Sequence, residues 1–357
     1  MRWKDIFCIC SVSIATVVGA GFATGQEIIT YFLSKGSVSI FGVMLAAMLF
    51  GFASFSVLSR VQTGGIESFD GYLQTIMPRF LCGFTGVLTF LFLFCGFCVM
   101  VSAGATILAD HYGFRKFWAG LILCMVCYLI FLKNISLIVK INGILAPIMI
   151  CGIFLSCLAI IFGREEAVSA YANFSANGIG SFFQNNFVFS ALLYVSYNLL
   201  SAVVILVSLR VYIRDSKTIL QTSLISGGIL FVLLGSIWMV LKIYYGKIPL
   251  GEIPMLDILG RVGIGIKNVY SLILLMAIFT TAVGNGYGFT QWLCSKTKMT
   301  KPIVAAVLCL GAMVFNFFQF SKLVQYVYGL FGAAGLCLLI CIVVDGFRIL
   351  CINKKKT

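Results

Sequence analysis

Apolar residues run along this chain in long continuous blocks, not in alternation, and short polar stretches separate the blocks. Blocks of roughly 20 residues read as helices that cross a bilayer, because lipid offers the backbone no hydrogen-bond partner and a helix satisfies its own groups. Ten are predicted, at about 6–34, 39–60, 81–109, 117–133, 137–162, 184–213, 218–242, 262–294, 302–320 and 323–350. The expected fold class is an all-α integral membrane protein, with a single transmembrane domain over residues 1–357.

Composition changes this picture only by closing other routes. Hydrophobic residues make up 61% of the chain, charged residues 10%, and mean hydropathy is +1.09. A soluble domain carries about 25% charged residues. A soluble enzyme, a nucleic-acid binder and a disordered chain are therefore excluded, and the partner surrounding most of the chain is the lipid bilayer.

The net charge of +14 then reads as topology. Ten spans put both termini on one side. Placing them inside leaves 16 of the 25 Lys and Arg in inner segments and nine in outer ones. That bias predicts cytoplasmic N- and C-termini in a multi-pass protein of the cytoplasmic membrane. Arg2 and Lys4 before an apolar run resemble a signal peptide, but the run continues through Gln26 and Glu27 into further membrane helix. Cys95-Gly-Phe-Cys98 and Cys124-Met-Val-Cys127 have the spacing of a zinc site. Both lie inside predicted spans without a knuckle turn, so these thiols read as small hydrophobes and no cofactor is expected.

Polar residues inside the spans carry the candidate chemistry. The first span contains Val17-Val18-Gly19-Ala20-Gly21-Phe22-Ala23-Thr24-Gly25-Gln26-Glu27. Three glycines within seven residues weaken a helix by about 1 kcal/mol each relative to Ala. An interrupted helix near the bilayer midplane offers amides to an anion and carbonyls to a cation. Close helix packing through small residues is the competing explanation. Glu27 tips the balance toward function, since an ionisable group inside a span is costly.

A second interruption is expected at Tyr194-Val195-Ser196-Tyr197-Asn198-Leu199-Leu200-Ser201, although no Gly or Pro accompanies it. Gly19 and Ser196 are 177 residues apart, almost half the chain, and five spans begin with each feature. An odd number of spans per half inverts the second half, which predicts an inverted repeat of about 6–162 and 184–350. In the eighth span Thr280 and Thr281 are candidate ligands of a hard cation; the alternative is that each hydroxyl bonds its own helix.

At these residues the sequence resembles the amino acid–polyamine–organocation superfamily, with its LeuT-like fold of five plus five helices. The stretch Gly19 to Glu27 most resembles the YkvI-type permeases. The likeness runs over essentially the whole chain, including the Glu252-Ile253-Pro254-Met255-Leu256 loop. It implies discontinuous first and sixth helices with a substrate site between them. Gly19, Ala20, Gly21, Phe22, Thr24, Gly25, Gln26 and Glu27 would line that site, with amides around Gly21 to Gly25 holding a substrate carboxylate. Tyr194, Ser196, Tyr197, Asn198 and Ser201 would lie on the opposite wall near the ammonium. A sodium site would use the carbonyls of Ala15, Val18 and Ala277 and the hydroxyls of Thr280 and Thr281. Met149 falls where some proton-coupled relatives carry a lysine, which favours sodium.

The function implied is secondary active transport of an amino acid or similar small zwitterion by sodium symport. Proton coupling, or a non-transporting ligand sensor on the same scaffold, is the alternative. No enzyme is expected: the spans hold no His cluster and no paired carboxylates.

Overall fold

The computed structural model describes residues 2–35, 39–133, 135–162, 186–213 and 215–354. Residues 184 and 185 of the sixth predicted span, and the cations Arg164 and Arg214, lie outside the described residues. The described chain is helical: α1 (Arg2–Val17), α2 (Ala20–Thr24), α3 (Gln26–Tyr31), α4 (Ser39–Gly64), α5 (Phe69–Ile76), α6 (Arg79–Tyr112), α7 (Lys116–Phe131), α8 (Ile135–Phe162), α9 (Phe187–Ser208), α10 (Ser216–Tyr244), α11 (Pro254–Val262), α12 (Ile264–Lys296), α13 (Lys301–Phe315), α14 (Phe320–Leu323) and α15 (Gly329–Lys354). A π-turn, Val324–Tyr328, joins the last two.

Among the described residues, seven helical stretches are long and apolar enough to cross a membrane: α4, α6, α8 from Lys140, α9, α10, α12, and the joined α14–α15. The shorter apolar helices α7 and α13 fall on the predicted fourth and ninth spans. The first predicted span is the one cut into pieces, α1, α2 and α3.

The broken first segment and α9 sit at the centre. α9 is buried along most of its length and packs against α4 and α15, while α1 packs against α8, α9 and α10. Large apolar side chains on α7, α10 and α13 remain exposed, including Leu129, Leu224 and Leu310, as expected where the neighbour is lipid. α2 and α3 are only five and six residues long, so their position comes from tertiary packing and not from helix propensity.

The structure corrects one expectation. The sixth predicted span is not interrupted: α9 is a continuous helix from Phe187 to Ser208. Its polar residues are satisfied without opening it. Asn198 Nδ2 donates to Tyr194 O (2.9 Å), Ser201 Oγ to Asn198 O (3.1 Å) and Ser196 Oγ to Leu193 O (2.9 Å). Side chains that bond their own helix, in a segment lacking Gly and Pro, give the backbone no reason to break.

Three ion pairs tie segments that the charge distribution assigns to one face. Arg60 at the end of α4 clasps Asp345 of α15, with Nε to Oδ2 at 2.9 Å. Arg210 pairs with Glu67 (2.5 Å) and Lys296 with Asp70 (2.6 Å). The relative sidedness of these segments is thus consistent through the fold.

Helices α4 and α10 cross at backbone contact. A Cβ built on Gly227 would lie 3.2 Å from Gly51 Cα and 3.3 Å from Ala47 O, whereas one on the adjacent Gly228 meets nothing within 4 Å. Small residues permit such approach in lipid, where dispersion and close packing replace the hydrophobic drive. Gly227→Val should therefore lower the thermal midpoint of the detergent-solubilised protein well below that of Gly228→Val, which carries the same propensity change. Equal midpoints would mean that this crossing contributes nothing to stability.

Candidate functional site

The break in the first segment has two joints. At the first, Val18 N–H still reaches Ile14 O (2.8 Å), but Gly19 N–H turns back to Val17 O (2.9 Å), a tight turn that ends the i−4 ladder of α1. At the second, Gly25 sits in the left-handed region at φ 87°, which favours glycine. Between them, α2 is fully buried.

The groups released by the break find local partners. Gly25 N–H donates to Phe22 O (3.1 Å) and Thr24 Oγ1 to Gly21 O (3.2 Å). Tyr270 of α12 sends its hydroxyl to Ala23 O at 2.6 Å.

The turn at Gly25 folds α3 back so that the Glu27 side chain lies against Gly21. A Cβ on Gly21 would collide with the Glu27 carboxyl and Cγ. Glu27 is 3% exposed. The space where the superfamily resemblance expects a substrate carboxylate is thus bordered by the protein's own carboxylate.

Around Glu27 stands a group of buried tyrosines: Tyr31 of α3, Tyr194 and Tyr197 of α9, and Tyr328 of the π-turn. Tyr31 lies 5.7 Å from Tyr194 and 5.5 Å from Tyr197, ring centre to ring centre, and Tyr197 stacks on Tyr328 at 4.7 Å. Phe92 of α6 contacts both Tyr197 and Tyr328 from behind. The Tyr194 and Tyr197 hydroxyls face the carboxyl. Even so, Glu27 Oε2 and the hydroxyls of Tyr31, Tyr194 and Tyr197 complete no hydrogen bond of normal geometry. A cluster of buried polar atoms left unpaired is uncommon in folded proteins.

The remaining predicted residues divide. Ala15, Val18 and Ala277 are buried beside the first joint and on α12. Thr280 Oγ1 bonds Ala277 O of its own helix (3.0 Å), with Met149 Sδ 3.8 Å away. Thr281 differs. Its hydroxyl is buried without a partner and lies 3.3 Å from where a Gly19 Cβ would stand, facing the first joint. Ser196 instead faces α15, donating to Gly332 O (2.5 Å), while Asn198 and Ser201 bond within α9. Gln26 points away from Glu27 and ties α3 to the loop before α11 through Gly251 O (3.1 Å) and Glu252 O (3.3 Å).

Comparison with known proteins adds to this geometry. No family model matches the chain. It is 25% identical to the uncharacterised protein YyaD of Bacillus subtilis over 348 residues, covering 96% of this chain and 97% of that one. It is 24% identical to the uncharacterised membrane protein YkvI of the same organism, covering 91% of each. Among solved structures, a Na+-coupled sialic acid symporter superposes with a TM-score of 0.65 at 14% identity, over 94% of this chain and 78% of that one. The nucleobase-cation-symport-1 family transporter Mhp1 gives 0.59 at 12% identity, over 94% and 77%. The manganese transporter of Eremococcus coleocola gives 0.60 at 13%, over 96% and 79%.

The fold is that of the LeuT-like transporters.

Within this LeuT-like frame, Tyr31 and Tyr328 are site residues that the sequence reading omits. Tyr31 was within reach of it, since it stands four residues after Glu27 and so shares a helical face. No sequence signal points to Tyr328. It is aimed by the π-turn Val324–Tyr328, a local underwinding that often accompanies functional sites.

The loop over the site is clasped. Glu252 accepts hydrogen bonds from Ser321 N–H (3.1 Å) and Ser321 Oγ (3.0 Å) at the start of α14. Asp257 accepts one from Gly251 N–H (2.7 Å). Lys116 Nζ donates to Phe318 O (3.0 Å) beside them. Glu252→Ala should deprotect the amides of residues 251–253 and 320–324 in hydrogen–deuterium exchange, leaving α4 and α10 unchanged. Unaltered exchange in the loop would show that the clasp does not hold it.

Proposed function

We propose that this protein is a secondary active transporter of an amino acid or related small solute bearing an ammonium group, coupled to sodium and working by alternating access. The observation that carries this reading is a broken first helix presenting a buried carboxyl, which no cationic side chain among the described residues pairs with, to a second membrane helix, within a fold shared with ion-coupled symporters. An ionisable side chain held at such depth is expensive unless it meets a charge during the working cycle. The loop over Gln26 acts as the outer cover, with the N- and C-termini in the cytoplasm, as the charge distribution suggests.

Thr281 supports sodium coupling. Its unpaired hydroxyl faces the joint where the α1 ladder stops, so a hard cation would find a hydroxyl and freed carbonyls together. Thr280 contributes less, because its hydroxyl already has a partner in Ala277 O.

In liposomes, the purified protein should accumulate a labelled amino acid or amine when sodium is higher outside, and not when the gradient is collapsed. Thr281→Ala should remove the sodium dependence, and Thr280→Ala should weaken it. A variant lacking the Thr281 hydroxyl that keeps full sodium dependence would remove this residue from the ion site.

A further inference from the structure

Glu27 poses an electrostatic problem. Its carboxyl is 3% exposed inside a membrane protein, and among the described residues no Lys, Arg or His pairs with it. Every titratable group that faces it is a tyrosine: Tyr31 on its own helix, Tyr194 and Tyr197 on α9, and Tyr328 on the π-turn. Those phenols are neutral. Transferring a bare carboxylate into such surroundings costs far more than a protein's whole stability margin, so the group is neutralised by a proton or by a bound cation. Tyr31 and Tyr194 pack on Tyr197, Tyr197 stacks on Tyr328, and Glu27 lies against Gly21, so the carboxyl is enclosed by neutral groups and a proton is the simplest neutralising partner.

The same cluster is chemically matched to an ammonium group. It offers one carboxylate, several hydroxyl oxygens without partners, and the faces of aromatic rings, which attract cations. A primary ammonium brings three N–H donors and one positive charge. A quaternary ammonium brings the charge but leaves the oxygens unpaired, and a carboxylate would meet Glu27 as a like charge.

We propose that Glu27, Tyr31, Tyr194, Tyr197 and Tyr328 form the ammonium subsite of the ligand, and that a primary ammonium group entering it displaces the proton held by the Glu27 carboxyl. The exchange balances: R–NH3+ enters, the Glu27 O–H bond breaks, the carboxylate keeps the electron pair and accepts N–H hydrogen bonds, and one H+ leaves to the aqueous phase. The ligand needs no carboxylate, because the protein supplies its own beside Gly21. This deepens the transport reading and rests on it for the identity of the site.

The test uses the full-length protein in detergent and a panel of the twenty amino acids, their decarboxylated amines, and their N-acetyl derivatives. The lysine derivative is acetylated at both amines so that no N-acetyl compound keeps a free ammonium group. Thermal stabilisation should come from members with a free ammonium group, with at least one amine lacking a carboxylate among them, and from no N-acetyl derivative. For the strongest amine, binding in weakly buffered solution should release one proton per ligand, and affinity should rise about tenfold per pH unit while Glu27 is protonated in the free protein. Glu27→Gln, a neutral isostere, should fold with an undiminished thermal midpoint and lose at least 100-fold in affinity. Should that variant be unstable, Glu27→Asp should keep the proton release while losing about tenfold in affinity, through its shorter reach.

Stabilisation by an N-acetyl derivative, no stabilisation by any amine, binding without proton release, or unchanged affinity in Glu27→Gln would each overturn the subsite. Binding with proton release but without flux in liposomes would leave the subsite standing and sink the transport reading. Flux of an amino acid that ignores Glu27→Gln would do the reverse.

Discussion

A helix opened inside hydrocarbon strands N–H and C=O groups where water cannot reach them, and the central part of this structure is organised around that constraint. The segment from Val18 to Gly25 breaks the helix at Gly19 and again at Gly25, yet the groups freed there are collected by short-range substitutes: a tight turn at Gly19, the Thr24 hydroxyl, and a phenol from α12. Each buried group left unpaired would cost several kcal/mol. The break is therefore built as a joint with its own hydrogen bonding, and Tyr270 ties it to a helix 247 residues away in sequence.

Because the joint is satisfied locally, it can serve as a frame for something that is not. Gly25 turns α3 so that Glu27 folds back over Gly21, and the residues facing that carboxyl come from α3, α9 and the π-turn. Three separate segments thus meet at one carboxyl group. Thr281, unpaired at the first joint, is a second point of the same kind. Polar residues elsewhere in the membrane helices mostly close on their own carbonyls four residues back, as Ser13, Thr106, Thr222 and Thr290 do. Single unpaired polar atoms occur elsewhere too, as at Thr89 and Ser223, but at Glu27 they gather around one carboxyl.

Much of this was legible in the sequence, and the limits follow from physics. Continuous apolar blocks are read easily because lipid imposes one solution on the backbone. The Gly19–Gly25 interruption was readable because glycine's effect on a helix is local and Glu27 is an unusual residue in such a block. Near Tyr197 polarity alone does not interrupt the helix, and α9 runs on unbroken. Serine and asparagine can be satisfied by the helix that carries them, and only glycine, proline or an outside partner would have changed the backbone. Tyr328 was invisible for another reason: its place in the site depends on a local change of helical register, which leaves no mark in composition or spacing. The side-by-side approach of Gly51 and Gly227 was equally hidden, since 176 residues separate them and each glycine alone is unremarked in a membrane helix.

The stacked tyrosines also have an electrical consequence. A carrier that shuttles ions must not conduct them when idle, and any wet thread through its middle would short-circuit the gradient it draws on. Tyr31, Tyr194, Tyr197 and Tyr328, backed by Phe92 and Phe50, form a layer of rings in mutual contact across the centre of the bundle. Such a layer is a dielectric plug. On the proposed reading it would insulate the two aqueous compartments from each other at the level where the helix is open, and would yield to a solute that can part the rings.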